Sequence, residues 1–275
     1  MVKSVKPLWY SPDNFFDLRK LQSTPAQPLF EGLTRVWEIL DRLGPFITTT
    51  VQGNVAKLRR KGDFQTEAVG LWQGRVFWGV TYKLGDPTRS DLKVSHKGRP
   101  LPGAALILPG VTLIGDDIEI GEGALVESGA LIKGPVIIGP YSEVRQGAYI
   151  RGAVMLSPGS VIGHATEAKN ALLLAGAKAG HFAYIGDSVL GVNVNLGAGV
   201  KLANLKMKES PYLFQVGEEK FELHRRKFGA IIGDDVKIGC NTVTNPGTLI
   251  GPGLIVLPNT SVPPGYHRNR ATIDR

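Results

Sequence analysis

The chain reads as mainly β: a parallel β-helix of hexapeptides with a small α+β region ahead of it. Three observations lead there. From Ile114 a branched aliphatic recurs at every sixth position, through Ile120, Val126, Ile132, Ile138, Val144, Ile150, Leu156 and Ile162. Small residues often follow these aliphatics (Gly115, Gly121, Gly139, Ser157, Gly163), and the chain carries 35 glycines without a low-complexity tract. The pattern then resumes at Leu190, Leu196 and Leu202, and again at Ile232, Ile238, Ile250, Val256 and Val262, with Thr244 filling one slot. A period of six belongs neither to an amphipathic helix nor to an alternating strand. It fits a short-period solenoid in which three hexapeptides make one triangular coil of about 18 residues, each aliphatic pointing inward and each small residue allowing a corner.

The elements follow in chain order. Residues 1–105 lie outside the repeat and form the α+β N-terminal region. Within it Thr24 can cap a helix carrying Leu29, Leu33, Trp37, Leu40 and Leu43 at helical spacing, and Gly44-Pro45 is expected to end it. LWQGRVFWGVTYKL (71–84) reads as a strand or hairpin whose aromatics form a small core. The region is expected to cap the first coil, because an open solenoid end exposes apolar surface; docking of a separate nucleotidyltransferase is the alternative. The repeat domain spans 106–265. LKMKESPYLFQVGEEKFELHRRKFG (205–229) interrupts it and reads as a surface β-hairpin or as a wall of the site, since a long excursion in a compact fold is often functional. Residues 266–275 make a basic tail.

Composition narrows the function. Hydrophobic residues make up 43% of the chain, enough for a core, yet no apolar run is long enough for a membrane span. The N-terminus lacks the apolar stretch of a secretory signal, and the lone Cys240 excludes an internal disulfide, so a cytoplasmic protein is expected. A formal charge of +8 favours anionic partners. No zinc-finger spacing or aromatic ribonucleoprotein signature marks that anion as nucleic acid, and small phosphorylated ligands fit equally well.

Coil arithmetic gives the first candidate site. Lys133, Arg151 and Lys169 are spaced 18 apart, one above another on one face, and each follows an inward position. Unit charges about 5 Å apart repel by roughly 3 kcal/mol at an effective dielectric near 20. Such a column is either a solvated basic face or a phosphate site. AKAGHFAYIGD (177–187) then sets His181 and Tyr184 into the repeat. Lys169 and His181 are nominally two faces apart on one coil, so a site using both is intersubunit if the chain oligomerises. His164 and His181, one coil apart, raise the possibility of a metal site, but no HxxxxH pair accompanies them and no metal is expected.

GHATEAKNALLLAGAKAGHFAYIGDSVLGVNVNLGAGVKLANL (163–205), with YIRG (149–152) upstream and KFGAIIGDDVKIG (227–239) downstream, resembles the acetyltransferase domain of the bifunctional N-acetylglucosamine-1-phosphate uridylyltransferase/glucosamine-1-phosphate acetyltransferase. The resemblance covers roughly residues 106–262. It implies a left-handed β-helix, a homotrimer, acetyl-CoA as acyl donor and an amino-sugar phosphate as acceptor. It implies His181 as the general base, a role suited to an imidazole titrating near neutrality. Arg151, Lys169, Tyr184, Asn195 and Lys227 match acceptor-binding positions. Ala198 matches the residue whose backbone N–H meets the acetyl carbonyl, and Asn204, Cys240 and Pro258 match acetyl-CoA-contacting positions. Cys240 and Pro258 replace the usual small serine and alanine, and Cys240 reads as a buried filler. Glu167 is a weaker candidate to orient His181 or the amine. The bifunctional relatives begin with a glycine-rich nucleotide loop; here the first glycine is Gly32 and no such loop follows, so uridylyl transfer is not expected. The 205–229 excursion alters the wall before Lys227, which leaves a nucleotide-linked amino sugar as an alternative acceptor. A non-catalytic trimeric scaffold is the alternative of a different class.

Overall fold

The computed structural model describes residues 9–216, 218–267 and 272–274. It is a parallel β-helix of about nine coils. Three faces run its length, each a parallel ladder. The first extends from Ala105–Ile107 to Thr272–Ile273, the second from Thr112–Ile114 to Ser261–Val262, and the third from Ile118–Ile120 to Gly265–His267. Two long strands, Glu167–Leu173 and Tyr184–Leu190, turn the corner from the second face to the third without a break. They do so at Asn170 and Asp187, which have φ of +45° and +46°, a left-handed conformation that Asn and Asp tolerate better than other side chains. Of the expected basic tail, residues 268–271 and 275 lie outside the described residues, while Tyr266, His267, Thr272 and Ile273 belong to the last strands.

The inward aliphatics stack as the period predicts, with Ile132, Ile150, Ile162 and Ile232 all fully buried. Ile114 is the exception, at 39% exposure. Leu113, not Ile114, faces Ile132 in the ladder, because that coil holds one residue more than 18 and shifts the phase. Coils shorten further on: Ile162 faces Ala179 and Ala168 faces Ile185, 17 residues on in each case.

The third face is apolar on both sides. Val136–Ile138, Val154–Leu156 and Ala230–Ile232 are buried at every position, as strands covered on both faces are. Their outer side chains, Ile137, Met155 and Ile231, pack under the N-terminal helices and the excursion. The expected single helix from Thr24 is broken at Gly32 (φ +66°) into Gln27–Phe30 and Ile39–Thr50, and it does not stop at Gly44-Pro45. Buried Leu43 and Ile47 hold the helix through the proline. The carbonyl that loses its partner there belongs to Asp41, on the exposed side where water can serve it. Thr48, Thr49 and Thr50 bond back to the carbonyls of Gly44, Pro45 and Phe46.

At the N-terminal end the hairpin Val69–Trp72/Arg75–Trp78 adds antiparallel to Ala105–Ile107, with Val55, Leu58 and Val69 packed into the solenoid core. The excursion folds as the hairpin Tyr212–Val216/Glu219–Leu223.

Candidate functional site

Two groups of the expected residues come together, each along one corner of the prism. The first lies where the first face turns into the second. Lys178–His181 ends there, and the next coil passes through Gly197-Ala198-Gly199, with the Gly199 N–H bonded to the His181 carbonyl at 3.1 Å. The following coils stack on it, Asn241 N–H on the Ala198 carbonyl and Asn259 N–H on the Cys240 carbonyl, both at 2.8 Å. His181, Ala198, Cys240 and Pro258 therefore rise along one corner, one residue per coil. At ~4.8 Å per strand the line is roughly 14 Å long. The His181 imidazole is exposed, flanked by the Phe182 ring at 6.4 Å between centroids. Among the described residues neither that imidazole nor the Ala198 N–H has a hydrogen-bond partner. Cys240 is exposed rather than buried, because the corner turns it outward over Gly197, where a Cβ would meet the Cys240 nitrogen at 2.7 Å.

The second group occupies the second face and its corner with the third. The outward column holds, strand by strand, Lys133, Arg151 and Lys169, with Gly186 beneath Lys169. Beside it runs Tyr149, Glu167, Tyr184 and Lys201. Arg151 donates to Glu167 at 2.6 Å, and this charged bond raises the guanidinium pKa further; the Glu167 carboxylate thus engages Arg151, not His181.

Lys169 pairs with Asp187 at 3.6 Å. Asp187 is 5% exposed and also accepts from the side-chain amides of Asn170 (2.9 Å) and Asn204 (2.6 Å). The Tyr184 hydroxyl donates to the side-chain amide oxygen Oδ1 of Asn204 at 3.4 Å, and burial raises its pKa, keeping the O–H neutral. Gly186 makes this packing possible: a Cβ there would lie 2.6 Å from the Tyr184 hydroxyl.

Lys227, delivered by the returning limb of the excursion, approaches Lys169 closely enough that the second ammonium lowers its pKa. Arg225 anchors that limb, with Nε on the Lys227 carbonyl at 2.8 Å and Nη2 on Asp41 of the N-terminal helix at 3.1 Å. Lys133, Arg151, Lys169 and Lys227 against Glu167 and Asp187 leave a surplus of two positive charges.

Two expected residues fall elsewhere. Asn195 lies on the first face, in register between Lys178 and Lys237. Asn204, expected with the acyl donor, sits in the Asp187 cluster. Asp187 and Asn170 were not among the expected site residues, although a signal exists: Asn170, Asp187 and Asn204 repeat every 17 residues, once the coil is known to have that length here. Among the described residues no group of side chains could hold a metal ion, and no helix is long and apolar enough to cross a membrane. A cleft of about 690 Å³ lies at the N-terminal end, between Trp72, Arg75 and Glu119, away from both groups.

Relatives share the central segment. The chain is 38% identical over 94 residues to the bifunctional sugar-1-phosphate nucleotidylyltransferase/acetyltransferase of Sulfurisphaera tokodaii, covering 34% of this chain and 23% of that protein. It is 41% identical over 83 residues to the bifunctional protein GlmU of Methanococcus aeolicus, covering 30% and 20%. A longer match, 33% over 183 residues, joins it to the GlmU of Pseudomonas putida, covering 62% and 36%. The chain thus spans between a fifth and about a third of the length of these relatives. The model of the GMPPB C-terminal domain matches residues 132–270, half of the chain, and this chain belongs to that family.

Proposed function

We propose that the chain is an acetyl-CoA-dependent N-acetyltransferase acting on an amino sugar that carries phosphate, with His181 as general base. One observation carries the reading: a solvent-facing imidazole and the Ala198 N–H, unpaired among the described residues, share a corner beside a face with surplus positive charge. The relatives' names, two of them GlmU and one an acetyltransferase, support it. Arg151, Lys169 and Lys227 hold the phosphate, and Tyr184 the sugar. The sugar nitrogen forms a bond to the acetyl carbon while His181 takes its proton. The C–S bond breaks with its electron pair going to sulfur, and the departing thiolate takes up a proton. Negative charge developing on the acetyl oxygen meets the Ala198 N–H. Cys240 and Pro258 continue the corner along which the rest of the donor lies.

The working unit is a homotrimer in the cytoplasm. His181 and Asn195 stand on the first-face side of one protomer and the cations on its second face. Two neighbouring subunits bring the two sets around one acceptor, which makes assembly a condition of activity.

CoA release from acetyl-CoA and glucosamine 1-phosphate tests the reading. The wild type turns over, and His181→Ala loses 10²–10⁴-fold, the usual contribution of a general base, with its assembly unchanged. A variant as active as wild type removes His181 from the mechanism.

A further inference from the structure

The cation column continues past the part that a sugar phosphate can use. Arg151 has Glu167 as a partner and Lys169 has Asp187, but among the described residues Lys133 has no carboxylate. Its ammonium donates to the Tyr149 hydroxyl at 3.0 Å and sits 5.3 Å from that ring's centroid, with the Arg151 guanidinium at 5.7 Å from the same centroid. The Tyr149 hydroxyl hydrogen and the remaining ammonium hydrogens are left to donate outward, one strand spacing (~4.8 Å) from Arg151.

Beyond Lys133 the face changes character. Ile114 is next in the column and 39% exposed, and Phe64 bridges Thr112 in the adjoining row and is 58% exposed. Paired residues in a ladder project from the same side of the sheet, so Phe64 faces outward with Thr112, Leu131 and Tyr149. From Lys169 towards the N-terminal end, one face thus presents a first anion subsite, a second donor cluster one strand on, and an exposed apolar and aromatic patch after that.

We infer that Lys133 and Tyr149 bind a second phosphate, and that Ile114 and Phe64 receive a nucleobase, so the acceptor is an amino sugar linked to a nucleoside diphosphate. The inference rests on the reading of Arg151, Lys169 and Lys227 as the first phosphate site. Adjacent phosphates of a diphosphate fall within one strand spacing, and a base has a π-face that stacks on an aromatic side chain. The sugar amine then points towards Tyr184, at the coil where the neighbouring subunit's His181 is brought to the acceptor and acyl transfer is placed.

Binding of UDP-glucosamine and of glucosamine 1-phosphate to the full chain, by titration calorimetry, tests this. UDP-glucosamine binds at least tenfold more tightly in the wild type. Lys133→Met weakens UDP-glucosamine at least tenfold more than it weakens glucosamine 1-phosphate, and Phe64→Ala reduces the same margin severalfold. Equal affinities for the two ligands, or variants that weaken both alike, overturn the inference. Tight binding and acetylation of glucosamine 1-phosphate alone overturn it while leaving the proposed activity standing. Binding of neither ligand sinks both.

Discussion

Asp187→Asn separates two roles for the carboxylate at the centre of the cation group. By charge alone, removing a carboxylate about 7 Å from a bound phosphate tightens the phosphate by roughly 2 kcal/mol per unit charge at an effective dielectric near 20. By geometry the change does the opposite. Asp187 accepts from two amides, one on each oxygen, and pairs with Lys169 at 3.6 Å. An asparagine has one acceptor oxygen, so Asn170 or Asn204 must face an N–H. If the Asn204 amide flips to avoid this, its oxygen leaves the Tyr184 hydroxyl. Lys169 also loses an attraction of about 4–5 kcal/mol at the same dielectric, offset in part by relief of desolvation. Breaking a buried pair on one side costs about 3–5 kcal/mol. Lys169 keeps 28% of its side chain exposed, which places this pair at the low end. A cost near 3 kcal/mol lowers the melting temperature by roughly 6–12 °C for a domain of this size. The expected outcome is a lower melting temperature together with at least tenfold weaker binding of inorganic phosphate, read by thermal melting and calorimetry. Tighter phosphate binding with an unchanged melting temperature would refute the reasoning and reduce Asp187 to a counter-charge.

Three other outcomes are expected. Gly186→Ala places a methyl 2.6 Å from the Tyr184 hydroxyl and 2.5 Å from the Asn204 amide, so acceptor affinity falls tenfold or more while the solenoid still melts cooperatively; unchanged affinity would mean that Tyr184 does not touch the acceptor. Arg225→Ala releases the Lys227 carbonyl and the exposed Asp41, and phosphate affinity drops severalfold, whereas Asp41→Asn alone has a smaller effect; equal effects would place the hold on Lys227 in the helix rather than in Arg225. Because Lys169 lowers the Lys227 pKa, Lys227 is charged below a pKa that lies under the ordinary lysine value and neutral above it. Phosphate affinity therefore declines as pH rises, at a lower pH than an ordinary lysine near 10.4 would allow. Lys227→Arg moves that decline upward, and a pH profile identical to wild type would exclude Lys227 as its source.

How much of this was legible in the sequence depended on whether the coil length was constant. A six-residue period reports only which way a side chain points, and for most coils this was enough: Ile132, Ile150 and Ile232 are buried where the period puts them. Lys133 and Arg151 are in register because the coil between them has 18 residues. The Asp187 cluster escaped because the two coils beyond Lys169 have 17, and arithmetic at 18 sets Asn170 against Ser188, a buried residue on the third face, instead of Asp187.

The shortened coils are also what build the site. Losing one residue merges the second and third faces into continuous strands turned at Asn170 and Asp187, and it brings three short polar side chains under Lys169 and Tyr184. A coil of 18 residues would have room for an ordinary corner there and no carboxylate beneath the cations. The solenoid departs from its own period at the point where surplus charge has to be held in a fixed geometry. Restoring the period by inserting one glycine after Asn170 should therefore preserve the solenoid's β-sheet signature in circular dichroism and abolish phosphate binding. Retained binding would show that the cluster forms independently of the coil length and that the 17-residue spacing is incidental.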